Sequence, residues 1–364
     1  MSRAHEPGSG GSRNGRGKRI LITRKENLMR LSEGKARRMK ALANSAGVIA
    51  AAAMDQRGSL QKSLASAKGV DKKQITDEMM TEFKTAVTKV LTPHASAILL
   101  DPEWGLPATK ARSKNAGLLL AYEASGYDNT QPGRLPDLLP HVSAKRIVDW
   151  GADAVKILIY YTPFDDSKVN DIKHAFIERI GAECVANDIP FFLEFVGYDP
   201  QGGDEKGLEY ARKKPEIVRA SMLEFSKPQY FVDVLKVEVP INAEFVEGSS
   251  VYKGQKAYSR AEALDHFRKA AAVATRPFIY LSAGVSNAQF TESLRMASEA
   301  GVDFSGVLCG RATWKEGIPV YAKQGVKALE DWLAKEGVKN ISAVNDAIKS
   351  AKPWDAKLDA PVPA

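Results

Sequence analysis

Residues 154–161 read AVKILIYY, residues 171–188 read DIKHAFIERIGAECVAND, and residues 190–199 read PFFLEFVGYD. The first and third of these segments are almost continuously apolar, which is typical of strands that are covered on both faces. The middle segment has helical spacing of its apolar residues instead. The order strand, helix, strand therefore predicts a parallel sheet with right-handed crossover connections.

Similar apolar runs extend this pattern in both directions. Those before it are VIAAAAMD (48–55), SAILLDP (96–102) and GLLLAYE (117–123); those after it are VDVLKVEVP (232–240), PFIYLSAG (277–284) and GVLCGR (306–311). Eight strands spread from Val48 to Arg311 predict a (β/α)8 TIM barrel, a fold of about 250 residues. An open doubly wound sheet is the alternative, but it usually carries G-x-G-x-x-G after its first strand, and that motif is missing here.

The first 40 residues differ from the rest of the chain in charge. Of the 364 residues, 1–40 hold 12 Lys/Arg and 3 Glu, whereas the other 324 hold 40 basic and 41 acidic residues. A Gly-, Ser- and Arg-rich segment cannot bury enough apolar surface to fold, so we expect a disordered basic extension over 1–40. A catalytic barrel over 41–352 and a Pro-rich tail over 353–364 complete the expected organisation. A nucleic-acid-binding or membrane-binding arm is the alternative for the extension.

Several classes of protein are disfavoured. Cys184 and Cys309 form no disulfide framework and suggest a reducing compartment. The five histidines are scattered without metal-ligand spacing, so we expect neither a metal nor another cofactor. No apolar run approaches the ~18 residues that span a bilayer, and no signal peptide is evident. We therefore expect a cytoplasmic protein that needs neither membrane nor nucleic acid, and a homo-oligomer is left open.

Four charged residues interrupt the apolar strands: Asp55, Lys156, Glu194 and Lys236. A charge on a buried strand is costly unless it is paired or functional. Two lysines held close together favour some neutral amine, which can attack a carbonyl, while carboxylates beside them can move protons. The pattern indicates Schiff-base chemistry with Lys236 as nucleophile. The alternatives are a Lys236 that points outward to solvent and a plain Lys156–Glu194 ion pair.

Two glycine-containing turns follow the last two strands. They read LSAGVS (281–286) and CGRATW (309–314), and the second contains Arg311. Exposed backbone N–H groups at this place in a barrel commonly bind phosphate, and Arg311 adds a matching charge. Ordinary turns are the alternative. Arg57, after the first strand, is either a second anion ligand or a solvated turn residue.

These motifs together resemble one known family. AAAMDQRGSL, AVKILIYYTP, FFLEFVGYD, DVLKVEVPIN, RPFIYLSAGVS and GVLCGRATW are similar to segments of the class I tagatose 1,6-bisphosphate aldolase family, which includes sulfofructose-phosphate aldolases. The resemblance covers roughly residues 45–315. It implies a (β/α)8 barrel in which Lys236 forms the Schiff base, Glu194 is the acid/base, and Lys156 and Asp55 are active-site residues. It also implies a set of substrate and phosphate contacts: Gln56, Arg57, Ser282, Gly284, Gly310 and Arg311.

The resulting expectation is a metal-independent lyase that cleaves a ketose 1,6-bisphosphate. Tagatose 1,6-bisphosphate is the favoured substrate. Fructose 1,6-bisphosphate, which differs from it only in the configuration at C4, is the second candidate, and a sulfofructose phosphate is the third. This chain departs from the family in its basic N-terminal extension and its Pro-rich tail. We also expect insertions such as the loops 200–207 and 247–258, both on the catalytic face. A non-catalytic phosphosugar-binding regulator is the alternative from another class.

Overall fold

The structure, a computed structural model, describes residues 31–125 and 132–357. The strands are β1 (Ile49–Met54), β2 (Ala97–Leu100), β3 (Gly117–Ala121), β4 (Ala154–Tyr160), β5 (Phe191–Val196), β6 (Val234–Glu238), β7 (Val246–Glu247), β8 (Tyr258–Ser259), β9 (Phe278–Leu281) and β10 (Gly306–Cys309). Eight of them close into a parallel barrel in the order β1-β10-β9-β6-β5-β4-β3-β2. The expected TIM barrel is thus confirmed, and each of its strands lies within one of the eight predicted runs.

Helices surround the barrel. They are α1 (Glu33–Leu42), α2 (Gly58–Lys68), α3 (Asp77–Leu91), α4 (Ala144–Asp149), α5 (Ser167–Ala186), α6 (Leu208–Phe225), α7 (Arg260–Ala272), α8 (Asn287–Glu299), α9 (Arg311–Trp314), α10 (Ile318–Trp332) and α11 (Val338–Ala347). Ser259 and Glu262 form a reciprocal capping box at the start of α7, so two of its free backbone N–H groups are satisfied. The short strands β7 and β8 pair at the two ends of the loop 247–258.

The apolar core has two layers, because successive side chains on a strand point to opposite faces. The outward-facing residues pack against the helices in one large cluster. The inward-facing residues form a second, smaller cluster that fills the barrel: Ile49, Ala51, Ala53, Ala97, Leu99, Leu119, Ala121, Ala154, Phe192, Val234, Ile279 and Leu308. Burying each large side chain stabilises the fold by about 1.5–3 kcal/mol.

The amino-terminal end of the barrel is closed by a floor, which we define as Met39, Leu42 and Trp354. All three are buried and belong to the inner cluster. Beside them, Lys35 Nζ and Asp233 Oδ2 form a buried ion pair at 2.6 Å. This closure leaves the carboxyl ends of the strands as the open mouth.

The floor corrects the expected boundaries. A boundary at residue 40 falls inside α1, which packs on the barrel and is not part of a flexible extension. The proposed tail 353–364 likewise contains Trp354, whose backbone N–H binds Gly47 O at 2.9 Å. Residues 1–30 and 358–364 lie outside the described residues. Within the described part, no helix is long and apolar enough to cross a membrane.

Candidate active site

The inner face of the barrel changes from apolar to charged toward its mouth. On β4, β5 and β6 the lower inward positions are apolar: Ala154, Phe192 and Val234. Two residues further along, the same face carries Lys156, Glu194 and Lys236, which are buried. A period of two places these charges inside the barrel, so Lys236 does not point outward between the helices.

Glu194 links the two lysines. It is the direct register partner of Lys236 on the neighbouring strand. Its Oε2 atom lies 2.7 Å from Lys236 Nζ and 2.8 Å from Lys156 Nζ. One carboxylate oxygen is therefore shared by both amines.

Lys156 is surrounded by acidic groups. Besides Glu194, its Nζ contacts Glu123 Oε1 at 2.8 Å and Asp55 Oδ2 at 2.9 Å. Burial opposes the charge, but these three carboxylates outweigh burial and raise the pKa of Lys156 well above its usual value. The expectation that close positive charges lower a lysine pKa therefore does not hold for Lys156, whose pKa is raised by its carboxylate neighbours.

Asp55 ends the inner face of β1. Burial alone raises the pKa of a carboxyl group. At Asp55 the charges of Lys156, and then of Lys236, outweigh that effect, and the pKa of Asp55 falls well below its usual range.

Arg57 and Gln56 follow directly after β1. Arg57 is buried and lies 3.0 Å from Glu103 and 3.7 Å from Glu123, so it is not a solvated turn residue. Gln56 Oε1, Arg57 Nε and Glu123 Oε2 are buried without a hydrogen-bond partner among the described residues. Such unsatisfied groups fit a site that receives a polar ligand.

A buried lysine hydrogen-bonds to the backbone of residues 54–56. Lys84, on α3, donates to Met54 O at 2.8 Å and to Gln56 O at 2.7 Å, the two carbonyls that flank Asp55. Its Nζ also lies 2.7 Å from Asp101, and both side chains are fully buried. Burial lowers the pKa of Lys84, while Asp101 opposes that shift. Lys84 thereby holds the backbone on both sides of Asp55.

The two glycine turns meet at the mouth. Gly284 has φ +76°, and a Cβ there would lie 2.6 Å from the Arg311 guanidinium carbon, so only glycine allows this approach. A Cβ on Gly310 would lie 3.1 Å from Gln56 Nε2. Ser282, which lies in the turn of Gly284, is buried. The structure thus brings all the residues predicted to bind phosphate to one side of the mouth.

Sequence reasoning missed several residues of the site. Glu123 and Asp101 each end an apolar run, as Asp55 does, and that position was the available signal. Lys84 and Lys315, which comes within 3.5 Å of Gly284 O, lie in helical segments and gave no signal. Glu238, two residues after Lys236, contacts Lys214 at 3.1 Å and accepts from Gly197 N at 2.8 Å.

Residues 49–316, nearly three quarters of the chain, match the family described as DeoC/LacD family aldolase. The chain belongs to the DeoC/LacD aldolase family. It is therefore a lyase, and the family assignment suggested by its motifs is confirmed. The family match begins at β1 and ends just after α9, so it includes every residue of the site described above.

Curated members of this aldolase family are similar over almost the whole chain. Proteins named tagatose 1,6-diphosphate aldolase include one from Listeria monocytogenes serotype 4a, 50% identical over 91% of this chain and 96% of its own. One from Enterococcus faecalis is 52% identical over 91% and 98%, and one from Lactococcus lactis is 47% identical over 91% and 100%. A solved Schiff base-forming fructose-1,6-bisphosphate aldolase is 15% identical over 82% of this chain and 97% of its own, with a TM-score of 0.48. A likeness that distant carries no argument about this chain.

Proposed function

We propose that this aldolase is a class I enzyme that cleaves tagatose 1,6-bisphosphate to dihydroxyacetone phosphate and glyceraldehyde 3-phosphate. One observation carries the proposal: Lys236 Nζ and Lys156 Nζ contact the same oxygen of Glu194 inside the barrel. A nucleophilic amine within hydrogen-bond distance of a carboxylate base is the arrangement that imine chemistry needs. The named substrate of its relatives supports the choice of sugar.

The first half of the reaction forms the imine. Glu194 accepts a proton from the Lys236 ammonium, and the free amine attacks the C2 carbonyl of the ketose to give a carbinolamine. Glu194 then returns its proton to the former carbonyl oxygen, which leaves as water, and a protonated imine between Lys236 and C2 remains beside a Glu194 carboxylate. The ammonium of Lys156 stays charged beside Glu194 and offsets the negative charge of Asp55 and Glu123.

The second half breaks the carbon–carbon bond. Glu194 takes the proton of the C4 hydroxyl, C4 becomes the aldehyde carbon, and the electron pair of the C3–C4 bond moves into the imine to form an enamine. Protonation of the enamine at C3 and addition of water release dihydroxyacetone phosphate and return the Lys236 amine. The loops with Gly284, Gly310 and Arg311 hold the C1 phosphate, and that fixed position keeps C2 beside Lys236.

The proposal is tested by comparing substrates with a coupled assay for the aldehyde product. We expect cleavage of tagatose 1,6-bisphosphate with a higher kcat/KM than fructose 1,6-bisphosphate or a sulfofructose 1-phosphate. Lys236→Met should abolish cleavage of all three while the far-ultraviolet circular dichroism stays unchanged. Retained activity in Lys236→Met would contradict the proposed nucleophile. A preference for the sulfonated sugar would contradict the proposed substrate.

A further inference from the structure

The barrel order defines where the far end of an extended substrate must lie. The proposed C1 phosphate loops follow β9 and β10, and in an eight-stranded ring the strands opposite them are β3 and β4. A ketose bisphosphate that starts at those loops passes Lys236 on β6 and Glu194 on β5. Its second phosphoryl group therefore arrives at the mouth on the β3–β4 side.

Tyr160 stands on that side. It is on β4, four residues after Lys156, and thus on the same inward face nearer the mouth. Burial raises the pKa of Tyr160, and the charges that act on it include Arg134, Glu194 and Arg311. Tyr160 therefore lies on the face that carries Lys156, toward the mouth, and its ring contacts Arg134, a residue of the loop that follows β3.

Arg134 is held between two aromatic rings. Its guanidinium carbon lies 4.8 Å from the ring centroid of Tyr160 and 4.8 Å from that of Tyr198. Its φ is +45°, a left-handed conformation that is rare outside glycine and that clusters at functional sites. A guanidinium stacked on rings still presents its N–H edge to an anion. Arg134 is thus a cation held by two rings, and its N–H edge is the part that hydrogen-bonds an anion.

The counter-ion of Arg134 is replaceable. Glu205 Oε1 lies 2.6 Å from Arg134 Nη2, and the Glu205 side chain is 30% exposed. Glu205 belongs to the loop 200–207, in which Gly202 and Gly203 both have positive φ and open space around them. Such a loop can release Glu205 at small cost in packing.

Arg57 contrasts with Arg134 in this respect. Its side chain is 3% exposed and is engaged by Glu103 and by Glu123, which also binds Lys156. Arg57 Nε has no partner among the described residues, but a ligand that took over the rest of this guanidinium would compete with both carboxylates. Arg134 can therefore exchange its counter-ion for a ligand more easily than Arg57 can.

We propose that Arg134, stacked between Tyr160 and Tyr198, binds the phosphoryl group at the aldehyde end of the ketose bisphosphate. Glu205 occupies the same guanidinium in the free enzyme and is displaced by the substrate. This inference rests on the proposed aldolase function. It assigns substrate specificity to the loop 200–207 and to Arg134.

The test compares a ketose 1,6-bisphosphate with the matching ketose 1-phosphate, which lacks the second phosphoryl group. We expect Arg134→Gln to raise KM for tagatose 1,6-bisphosphate by about tenfold or more, the effect of losing a charge-assisted hydrogen bond. KM for tagatose 1-phosphate should stay within about twofold. Glu205→Gln removes the competing anion and should lower KM for the bisphosphate by about two- to fivefold. Lys213→Gln, which removes an exposed lysine paired with Asp199 on the same rim, is the matched control and should change neither KM.

The two substitutions predict opposite shifts, so a general loss of stability cannot imitate the result. Equal changes of KM for both substrates in Arg134→Gln would overturn the inference, and so would a Glu205→Gln variant that binds the bisphosphate more weakly. Borohydride trapping of dihydroxyacetone phosphate separates this failure from failure of the proposed function, because that ligand carries only the C1 phosphate. If the wild type is trapped but Arg134→Gln changes KM equally for the bisphosphate and the 1-phosphate, only the Arg134 site is refuted. Absence of wild-type trapping refutes the proposed function and this inference with it.

Discussion

Glu194 Oε2 is shared by two lysines that differ in their other contacts. Lys156 has two further carboxylates within 2.9 Å, those of Asp55 and Glu123, and its pKa is raised well above the usual value. Lys236 lies on the other side of Glu194, toward β9 and the loops proposed to bind the C1 phosphate. The same acceptor can therefore serve a fixed cation on one side and a reacting amine on the other.

Replacing Lys156 tests its role as the fixed cation. Lys156→Met leaves three carboxylates without their shared partner, and we expect kcat to fall by about 10²–10³-fold. Because Lys156 is the main group that depresses the pKa of Asp55, that pKa should rise toward its ordinary ~3.9. A depressed folded-state pKa adds stability above the unfolded pKa that is lost as pH falls through the folded value. The acid loss of activity should therefore move to higher pH in pH–rate profiles. In urea unfolding, the stability that Asp55 adds to the wild type above its unfolded pKa should be smaller or absent in the variant.

The Lys213→Gln variant is the control for losing one lysine charge. Its pH–rate profile should match that of the wild type. An unchanged acid limb in Lys156→Met would contradict the assigned role.

At single positions, the sequence was informative where a charge interrupts an apolar run. Lys156, Glu194 and Lys236 could be chosen because a buried strand charge has few explanations. Glu123 ends an apolar run, as Asp55 does, and the same signal could have identified it. Lys84 could not be predicted, because a lysine in an amphipathic helix ordinarily faces solvent, and only the packing of α3 against β1 shows that it does not.

At the level of elements, the contact of α3 with the end of β1 deserves a direct test. Lys84→Met leaves Asp101 buried and unpaired, and we expect a loss of about 3–5 kcal/mol in the free energy of unfolding. It also frees the carbonyls of Met54 and Gln56, so Asp55 loses its backbone support. We expect kcat to fall by about 10–10²-fold with a smaller change in KM.

The double variant Lys84→Met/Asp101→Asn separates position from stability. Removing the unpaired charge should restore much of the free energy of unfolding, measured in urea, but not kcat. Recovery of kcat together with stability would mean that Lys84 has a purely structural role.

At the level of the whole molecule, the apolar residues that close the barrel and the charged residues of the site lie at opposite ends. The floor of Met39, Leu42 and Trp354 closes one end, and the charged residues lie toward the other. The strand pattern was sufficient to predict this barrel, since buried parallel strands read as apolar runs. The boundaries of the folded part were not predictable in the same way. The segment that contains α1 is rich in basic residues, so its two apolar floor residues were not enough to predict that it folds. A single tryptophan in a Pro-rich segment gives no periodic pattern from which folding could be predicted.

Trp354→Ala tests this separation. Removing a buried tryptophan should lower the free energy of unfolding by about 3–5 kcal/mol in urea titrations. The kcat of the folded enzyme should stay within about twofold of the wild type, because the floor lies at the end opposite the mouth. Lys352→Ala, an exposed neighbour, should change stability by less than about 0.5 kcal/mol. A large loss of kcat in Trp354→Ala would contradict the separation.

The central claim is that Lys236 forms an imine with the substrate. Borohydride reduction in the presence of dihydroxyacetone phosphate, followed by peptide mass spectrometry, tests it most directly. We predict a covalent adduct on Lys236 in the wild type. In Glu194→Gln we predict the same adduct, formed more slowly, because water must then replace Glu194 as the acceptor of the Lys236 proton. Wild-type protein that stays unlabelled at Lys236, or that carries the adduct on Lys156 instead, would contradict the account.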